Sequence, residues 1–338
     1  MTLAVTFDQA LLGLHLLSAF ALAGSIVVFW YLILAGRNVD TPGPIVAMGP
    51  VASVTTKVVR AGAGGTLVFG IWLAIRLSHV QPWSGWVIAA IVLLVITAIA
   101  GSRSGIEYER AMRKAEELEA AGQTGPNAEL LALNRTSRGL WLHVIATLGV
   151  VLMLVDMIWK PGAPDLVGVF PRASDFSINF PLLVHITGAV VLVGGVIAAA
   201  TAFLSARGDA RRLRLGYYSL LFVALPGLIV AKFGATWIWS KESTHSFIGS
   251  AFPHTDDPRW IMIGGTALDG GGALLVLALI LGWFGLERLD GSRDDFLAKV
   301  PVVKNMEGAT LLKGTTIISV VLLVGYVLAI WGMGTKPS

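Results

Sequence analysis

The chain has 338 residues, of which 55% are hydrophobic and only 14% are charged, and its mean hydropathy is +0.75. Because soluble domains carry roughly 25% charged residues, this composition excludes an ordinary soluble protein and favours a polytopic membrane protein. Cysteine is absent, which excludes disulfides, iron–sulfur clusters, thiolate zinc sites and covalent c-type haem attachment. The net charge of +4 lies mostly in loops between apolar stretches, so we expect contact with lipid headgroups and no nucleic-acid partner.

Eight apolar stretches are long enough to cross a bilayer, which requires about 20 residues for roughly 30 Å of hydrocarbon. In chain order they lie near residues 10–35, 60–80, 85–102, 140–159, 181–205, 215–238, 261–285 and 314–333. We expect helices, because a backbone in lipid must satisfy its own hydrogen bonds. The predicted fold class is therefore all-α: a multi-pass protein of the cell membrane with eight transmembrane helices, arranged as two tandem four-helix bundles.

Basic residues predict the orientation of these helices. Seventeen of the 25 lysines and arginines lie in the loops after spans one, three, five and seven, and five lie in the opposite loops and tails. Because the basic side normally faces the cytoplasm, both termini should be extracytoplasmic. On the basic side, residues 106–122 mix glutamate with arginine and lysine at helical spacing. This pattern predicts a charged cytoplasmic helix, either a solvated connector or a surface that docks a partner.

One sequence pattern occurs twice, in GLHLLSAFALAGS and in LVHITGAVVLVGG. An offset of 170 residues pairs His15 with His185 and Gly24 with Gly194. The repetition predicts a duplicated helical unit. If each unit has four spans, the two units have the same orientation, so the two histidines should lie at the same depth near the outer face.

The rest of the chain supports the same duplication. In the next spans an offset of 154 pairs Arg60 with Arg214. We therefore predict a first four-helix unit over residues 1–162, an extracytoplasmic linker over 163–180, and a second four-helix unit over 181–338.

The openings LHLLSAFALAG (14–24) and VHITGAVVLVGG (184–195) resemble the copper-resistance-D-like membrane proteins, whose helices begin with a histidine and a small-residue motif. The endings IWKPG (158–162) and TKPS (335–338) are similar to the Lys-Pro step that closes four-helix units in a group of uncharacterised predicted integral membrane proteins of that superfamily. More distantly, the pattern is similar to membrane protoporphyrinogen oxidases that bind haem b. The resemblance implies copper handling or haem ligation.

Histidines are the candidate ligands. Five of the six fall on the predicted outer side: His15, His79, His185, His245 and His254. Neutral imidazole suits copper, iron or zinc. His15 and His185 could hold haem b or a metal between the two units, with His79 as a further metal ligand. A hydrogen bond to a neighbouring helix would explain the same two histidines equally well. His143, near the inner side, is predicted to be a packing residue.

Asp269 lies about eight residues inside span seven, where a charged carboxylate costs on the order of 2.5–3.5 kcal/mol. Lys232, near the outer end of span six, is the nearest candidate counter-charge in the sequence. The two residues form either a structural ion pair or a site that handles a proton or ligand. Pro226 should kink span six and free a backbone carbonyl.

Three functions remain open, and the sequence does not decide whether the chain is an enzyme. The first is binding of haem b or copper near the outer face, for electron transfer to a redox partner or for metal handling. The second is a non-catalytic subunit of a larger membrane complex that holds no cofactor. The third is a proton-coupled permease that uses Asp269.

Overall fold

The computed structural model describes residues 5–76, 83–161, 176–242, 259–289 and 307–335. All regular structure in these ranges is helical, which confirms the all-α fold. The helices are α1 (Phe7–Gly36), α2 (Pro42–Arg76), α3 (Gly85–Ala120), α4 (Ala128–Asn134), α5 (Ser137–Trp159), α6 (Phe176–Ser205), α7 (Ala210–Ser219), α8 (Leu225–Glu242), α9 (Arg259–Leu289) and α10 (Gly308–Thr335). Eight segments of the described chain are long and apolar enough to cross a membrane, with α4–α5 and α7–α8 each forming one segment.

Several helices begin earlier than the apolar pattern predicts, and α2 differs most. α2 begins at Pro42 rather than near residue 60, and α6 begins at Phe176 rather than near 181. The added part of α2 has the sequence GPIVAMGPVASVTTK, which mixes apolar residues with proline, threonine and lysine. Its mean hydropathy is therefore low, and the apolar pattern did not include it in the span. A proline at the first helical position costs nothing, because its missing N–H would have no partner there.

The charged helix predicted after span three is present, since α3 continues to Ala120. One face of it is not solvated: Ala111 and Ala115 are buried against the inner ends of α1 and α2. Lys114 Nζ lies 2.7 Å from Glu129 Oε2, which ties the extension to α4. The segment therefore docks on the chain's own helices and is more than a solvated connector.

Consecutive helices pack in the same order in both halves. The most extensive contacts join α1 to α2 and α3 to α5 in the first half, and α6 to α8 and α9 to α10 in the second. The halves are also joined to each other, because α1 packs against α6 and α10. The unit boundaries, with a linker over 163–180, stay a prediction.

We call the side where α1 begins the outer face and the opposite side the arginine-rich face. Asp8 Oδ1 near the start of α1 lies 3.1 Å from Arg76 Nε at the end of α2, and the start of α1 also packs against the end of α10. The first and last described helix ends therefore share one face. The predicted positive-inside orientation would make this face extracytoplasmic.

The sixth span contains a π-helix, Leu220–Ala224, that joins α7 to α8 two residues before Pro226. The N–H of Leu225 bonds to the carbonyl of Leu220, five residues back, as in a π-turn. Proline removes one donor from the helix, and the wider turn accommodates the missing bond. The irregularity expected at Pro226 is therefore present, in the form of a π-turn.

α1 and α6 approach closely where two glycines meet. A Cβ added at Gly194 would lie 2.7 Å from the carbonyl oxygen of Gly24 and 3.1 Å from Cβ of Val27. Helices in lipid gain little from the hydrophobic effect, so close backbone packing at small residues supplies much of their attraction. Gly24 and Gly194 are also the pair matched at the offset of 170, as expected for residues near an axis that relates the two halves.

We predict that Gly194→Ala lowers the free energy of unfolding by about 1–3 kcal/mol, because its methyl group collides with the backbone of α1. Gly24→Ala is the matched control: its Cβ would meet Gly194 N at 3.5 Å, an ordinary contact, so its effect should be smaller. Thermal unfolding in detergent, followed by tryptophan fluorescence, measures both. Equal midpoints for the two variants would contradict the geometry.

Candidate functional site

His15 and His185 make equivalent contacts in the two halves. Nδ1 of His15 lies 3.1 Å from the carbonyl oxygen of Thr66 in α2, and Nδ1 of His185 lies 2.9 Å from that of Ala231 in α8. A carbonyl oxygen only accepts, so Nδ1–H donates in each ring and the neutral imidazole keeps its lone pair on Nε2. A Cβ at Gly70 would lie 2.9 Å from Cε1 of His15, so this glycine makes room for the ring. Each histidine thus ties the first helix of its half to the second.

The two imidazoles lie on the sides of their helices that face away from the α1–α6 contact. His15 and His185 each precede the glycine of that contact by nine residues. At 3.6 residues per turn, nine residues rotate the side-chain direction by half a turn and move it about 13 Å along the axis. The rings therefore lie at matched heights on opposite sides of the α1–α6 pair. This geometry favours one imidazole site in each half over a single metal or haem iron held between the two.

The second helices of the two halves align at an offset of 165, and the predicted offset of 154 is wrong. The carbonyl partners of the histidines, Thr66 and Ala231, are 165 residues apart. Gly62 and Gly227 have the same separation, and each lies against the backbone of the first helix at a matched leucine. The two offsets differ by 11 residues, about three helical turns, which returns to the same helix face. The match at an offset of 154 therefore pairs the correct faces of the two second helices, but at positions about three turns apart along the helix axis.

Lys232 and Asp269 form the predicted ion pair, with Nζ 2.5 Å from Oδ1, and it joins α8 to α9. Lys232 lies ten residues before Glu242, the last residue of α8, and Asp269 lies ten residues after Arg259, the first of α9. Both are therefore about 15 Å from the outer helix ends, at a depth within the membrane. The side chains are 28% and 34% exposed, so the pair is open on one side. Lipid solvates charges poorly, and this opening requires a water-filled groove or a covering polypeptide.

Two polar groups contact residues close in sequence to the ion pair. The carbonyl of Ala231, directly before Lys232, accepts the hydrogen bond from His185. In α10 the hydroxyl of Tyr326 is buried against Gly271, two residues after Asp269, and has no hydrogen-bond partner in the described part of the chain. Residues one or two positions apart on a helix do not face each other, so these contacts lie on other sides of α8 and α9 than the ion pair.

The first half has no counterpart of this ion pair. At the offset of 165 the position of Lys232 is occupied by Leu67, and residues 85–105 of α3 contain neither aspartate nor glutamate. Duplication alone therefore does not account for the charges. The charged site belongs to the second half only.

Asp156 is a buried carboxylate whose burial the sequence did not indicate. It is 9% exposed in α5, and its Oδ2 has no hydrogen-bond partner within the described ranges. Its position one turn before the end of a span is typical of an interfacial residue in water, which is why the pattern gave no signal. Its backbone carbonyl accepts the N–H of Lys160, the left-handed residue that ends the helix.

Lys160 lies just beyond the fourth span at the outer face. Its Nζ is 5.6 Å from the ring centroid of Trp86, a cation–π geometry. Burial lowers the pKa of Lys160 to about 8.

The remaining histidines separate into two groups. His143 is buried in α5 and packs edge-on against Trp30 with centroids 4.8 Å apart, which agrees with the predicted packing role. His79, the third predicted metal ligand, lies outside the described residues, as do His245 and His254. In the part of the chain that the structure describes, no three histidine, aspartate or glutamate side chains are grouped so as to hold a metal ion.

Comparisons with protein-family models, curated proteins and solved structures find no match to this chain. The relation to copper-resistance-D-like proteins therefore stays a prediction.

We predict that Lys232→Leu lowers the unfolding free energy by on the order of 2 kcal/mol, because it leaves Asp269 without its counter-charge at membrane depth. The double variant Lys232→Leu/Asp269→Leu should recover most of that loss, since an apolar pair at this depth needs no solvation. The thermal unfolding midpoints of the single and double variants measure the loss and the recovery. A double variant less stable than Lys232→Leu would contradict this account of the pair.

Proposed function

We propose that the chain is a proton-coupled permease whose coupling group is the pair Lys232–Asp269. One observation supports the proposal: an ion pair at membrane depth is open on one side, and the matched positions of α2 and α3 hold no such charges. A purely structural pair would be most stable when covered by neighbouring helices. If the opening is a water-filled groove, it gives protons and solutes access to the pair, which coupling requires.

The charge of the pair supplies a coupling step. A proton that binds the Asp269 carboxylate breaks its ion pair with Lys232 and adds one positive charge to the site. In a medium of low dielectric constant this charge attracts an anion strongly. Binding of an anionic solute would neutralise it, so proton and anion would move together.

The proposal is tested with the full chain in vesicles that enclose a pH-sensitive dye, with the membrane potential clamped. We expect an inward pH gradient and a panel of small anions, including chloride, phosphate and short carboxylates, to produce anion-dependent proton entry. Asp269→Asn should abolish this entry, because the amide cannot take up a proton at neutral pH.

Asp156→Asn is the matched control. It makes the same chemical change at a second carboxylate within a span, one that is buried, and should leave proton entry intact. Proton entry that survives Asp269→Asn, or that no anion stimulates in the unmodified chain, would contradict the proposal. The second outcome, together with a co-purifying membrane protein whose binding depends on Lys232 and Asp269, would favour the subunit role.

A second candidate function is the binding of copper or haem b, as the copper-resistance-D-like resemblance implies. It is supported by the tethered Nδ1 of His15 and His185, because imidazole ligands usually donate their other ring N–H to a carbonyl or carboxylate. The arrangement fits two separate sites, each with one histidine Nε2 as a ligand. It does not fit a single iron bound by both histidines, because the two rings lie on opposite sides of the α1–α6 pair. Haem b would supply one-electron chemistry for a redox partner, and copper would be cargo.

For this candidate we predict a Soret band or bound copper in the purified chain. His15→Ala and His185→Ala should each remove about half of it, since the two sites are separate. Visible spectroscopy and elemental analysis measure the two ligands, and His143→Ala is the control because its ring is enclosed in packing. A colourless preparation without copper, iron or zinc would contradict the prediction.

A further inference from the structure

A cleft of about 620 Å³ opens at the arginine-rich face between α1, α2 and α7. Small-molecule sites have volumes of roughly 300–1,000 Å³, so the cleft is large enough for a ligand. Its walls are apolar and aromatic except for two arginines. The lining residues used below are Trp30, Tyr31 and Ala35 of α1, and Arg211, Arg214 and Tyr218 of α7, followed by Phe222 of the π-helix.

The wall formed by α7 changes from charged to apolar with depth. Arg211, Arg214, Tyr218 and Phe222 follow one another at intervals of three or four residues, so they share one side of the helix. Arg211 is the second residue of α7, and Phe222 lies about 16 Å deeper along the axis. This order, charge at the membrane surface and aromatic groups below, matches an anionic headgroup with an acyl chain beneath it.

Two contacts hold the cleft open. Tyr31 Oη donates to the carbonyl oxygen of Leu215 at 2.6 Å, which fixes the spacing of α1 and α7. The guanidinium group of Arg211 lies against Gly43 in the first turn of α2, where any Cβ would collide with it. The glycine therefore leaves space for a guanidinium beside a helix N-terminus. This position gathers positive charge and attracts an anion.

The equivalent position in the second half has smaller side chains. At the offset of 170, Trp30 and Tyr31 correspond to Ala200 and Thr201 of α6. Here α2 packs directly on α6, with Met48 in the same buried cluster as Ala198. The aromatic wall that Trp30 and Tyr31 give to the cleft is therefore not repeated at the matched positions of α6.

We propose that this cleft binds one anionic phospholipid from the leaflet at the arginine-rich face. Its phosphate would contact Arg211 and Arg214, and one acyl chain would lie along Tyr218, Phe222 and Trp30. Charge complementarity selects this occupant, because basic pockets between transmembrane helices at the cytoplasmic surface suit anionic headgroups. The proposal is independent of the permease proposal, since the cleft and the ion pair Lys232–Asp269 lie towards opposite faces.

The test uses the delipidated full chain in a non-ionic detergent and native mass spectrometry. Dioleoyl phosphatidylglycerol should be retained, and dioleoyl phosphatidylcholine, with the same chains and no net charge, should be largely lost. Arg211→Gln/Arg214→Gln should weaken phosphatidylglycerol binding by about tenfold or more. Ala35→Trp should weaken it as well, because the indole fills an exposed part of the cleft without entering the core.

Arg103→Gln/Arg113→Gln is the matched control. It removes two exposed arginines from the same face outside the cleft and should leave binding unchanged. Gly43→Ala keeps every charge but displaces the Arg211 guanidinium, so a weakened affinity in this variant supports the proposal even if the double variant is unstable.

Three results would overturn the proposal. They are equal retention of the two lipids, an equal loss in the control variant, and displacement of phosphatidylglycerol by glycerol phosphate at the same concentration. The last would identify a free-phosphate site rather than a lipid site.

Discussion

The close approach of α1 and α6 at Gly24 and Gly194 determines where the polar groups of this protein lie. Lipid is as apolar as the side chains it surrounds, so membrane helices associate by shape and polar contacts more than by hydrophobic burial. Glycine permits the closest approach of two backbones, and the same device recurs where Gly62 meets α1 and Gly227 meets α6. These contacts determine which faces of α1 and α6 meet. Each histidine lies half a turn around its helix from the glycine of the contact, so its ring points towards the second helix of its own half.

The two halves share a scaffold and differ in their charges. Within the described residues the histidine contacts repeat, whereas the ion pair Lys232–Asp269 has no match in α2 and α3, and the aromatic wall of the basic cleft has no match in α6. A repeated feature is explained by common packing, because both copies must join a first helix to a second. A feature found once has to be explained by its own chemistry. This contrast is why the permease proposal rests on Lys232 and Asp269 rather than on the histidines.

Much of the fold and one part of the site could be predicted from the sequence. Span number depends on hydropathy over about 20 residues, a local property. The pairing of Lys232 with Asp269 also followed from local facts, since an intramembrane charge needs a partner and one loop joins their helices. The register of α2 against α8 could not be predicted, because a shift of 11 residues preserves the face. The direction of His15 and His185 depends on which side of α1 meets α6, a tertiary property.

The contact between the first and last helices has a consequence for biogenesis. Thr335 and Trp331 of α10 fill the space beside Gly13 of α1, and Gly334 adjoins Leu16. Because α10 is synthesised long after α1, the outer end of α1 is packed only once α10 has been inserted. Until then its small-residue surface faces lipid or the insertion machinery. This seam therefore stays open while the helices between α1 and α10 are being made.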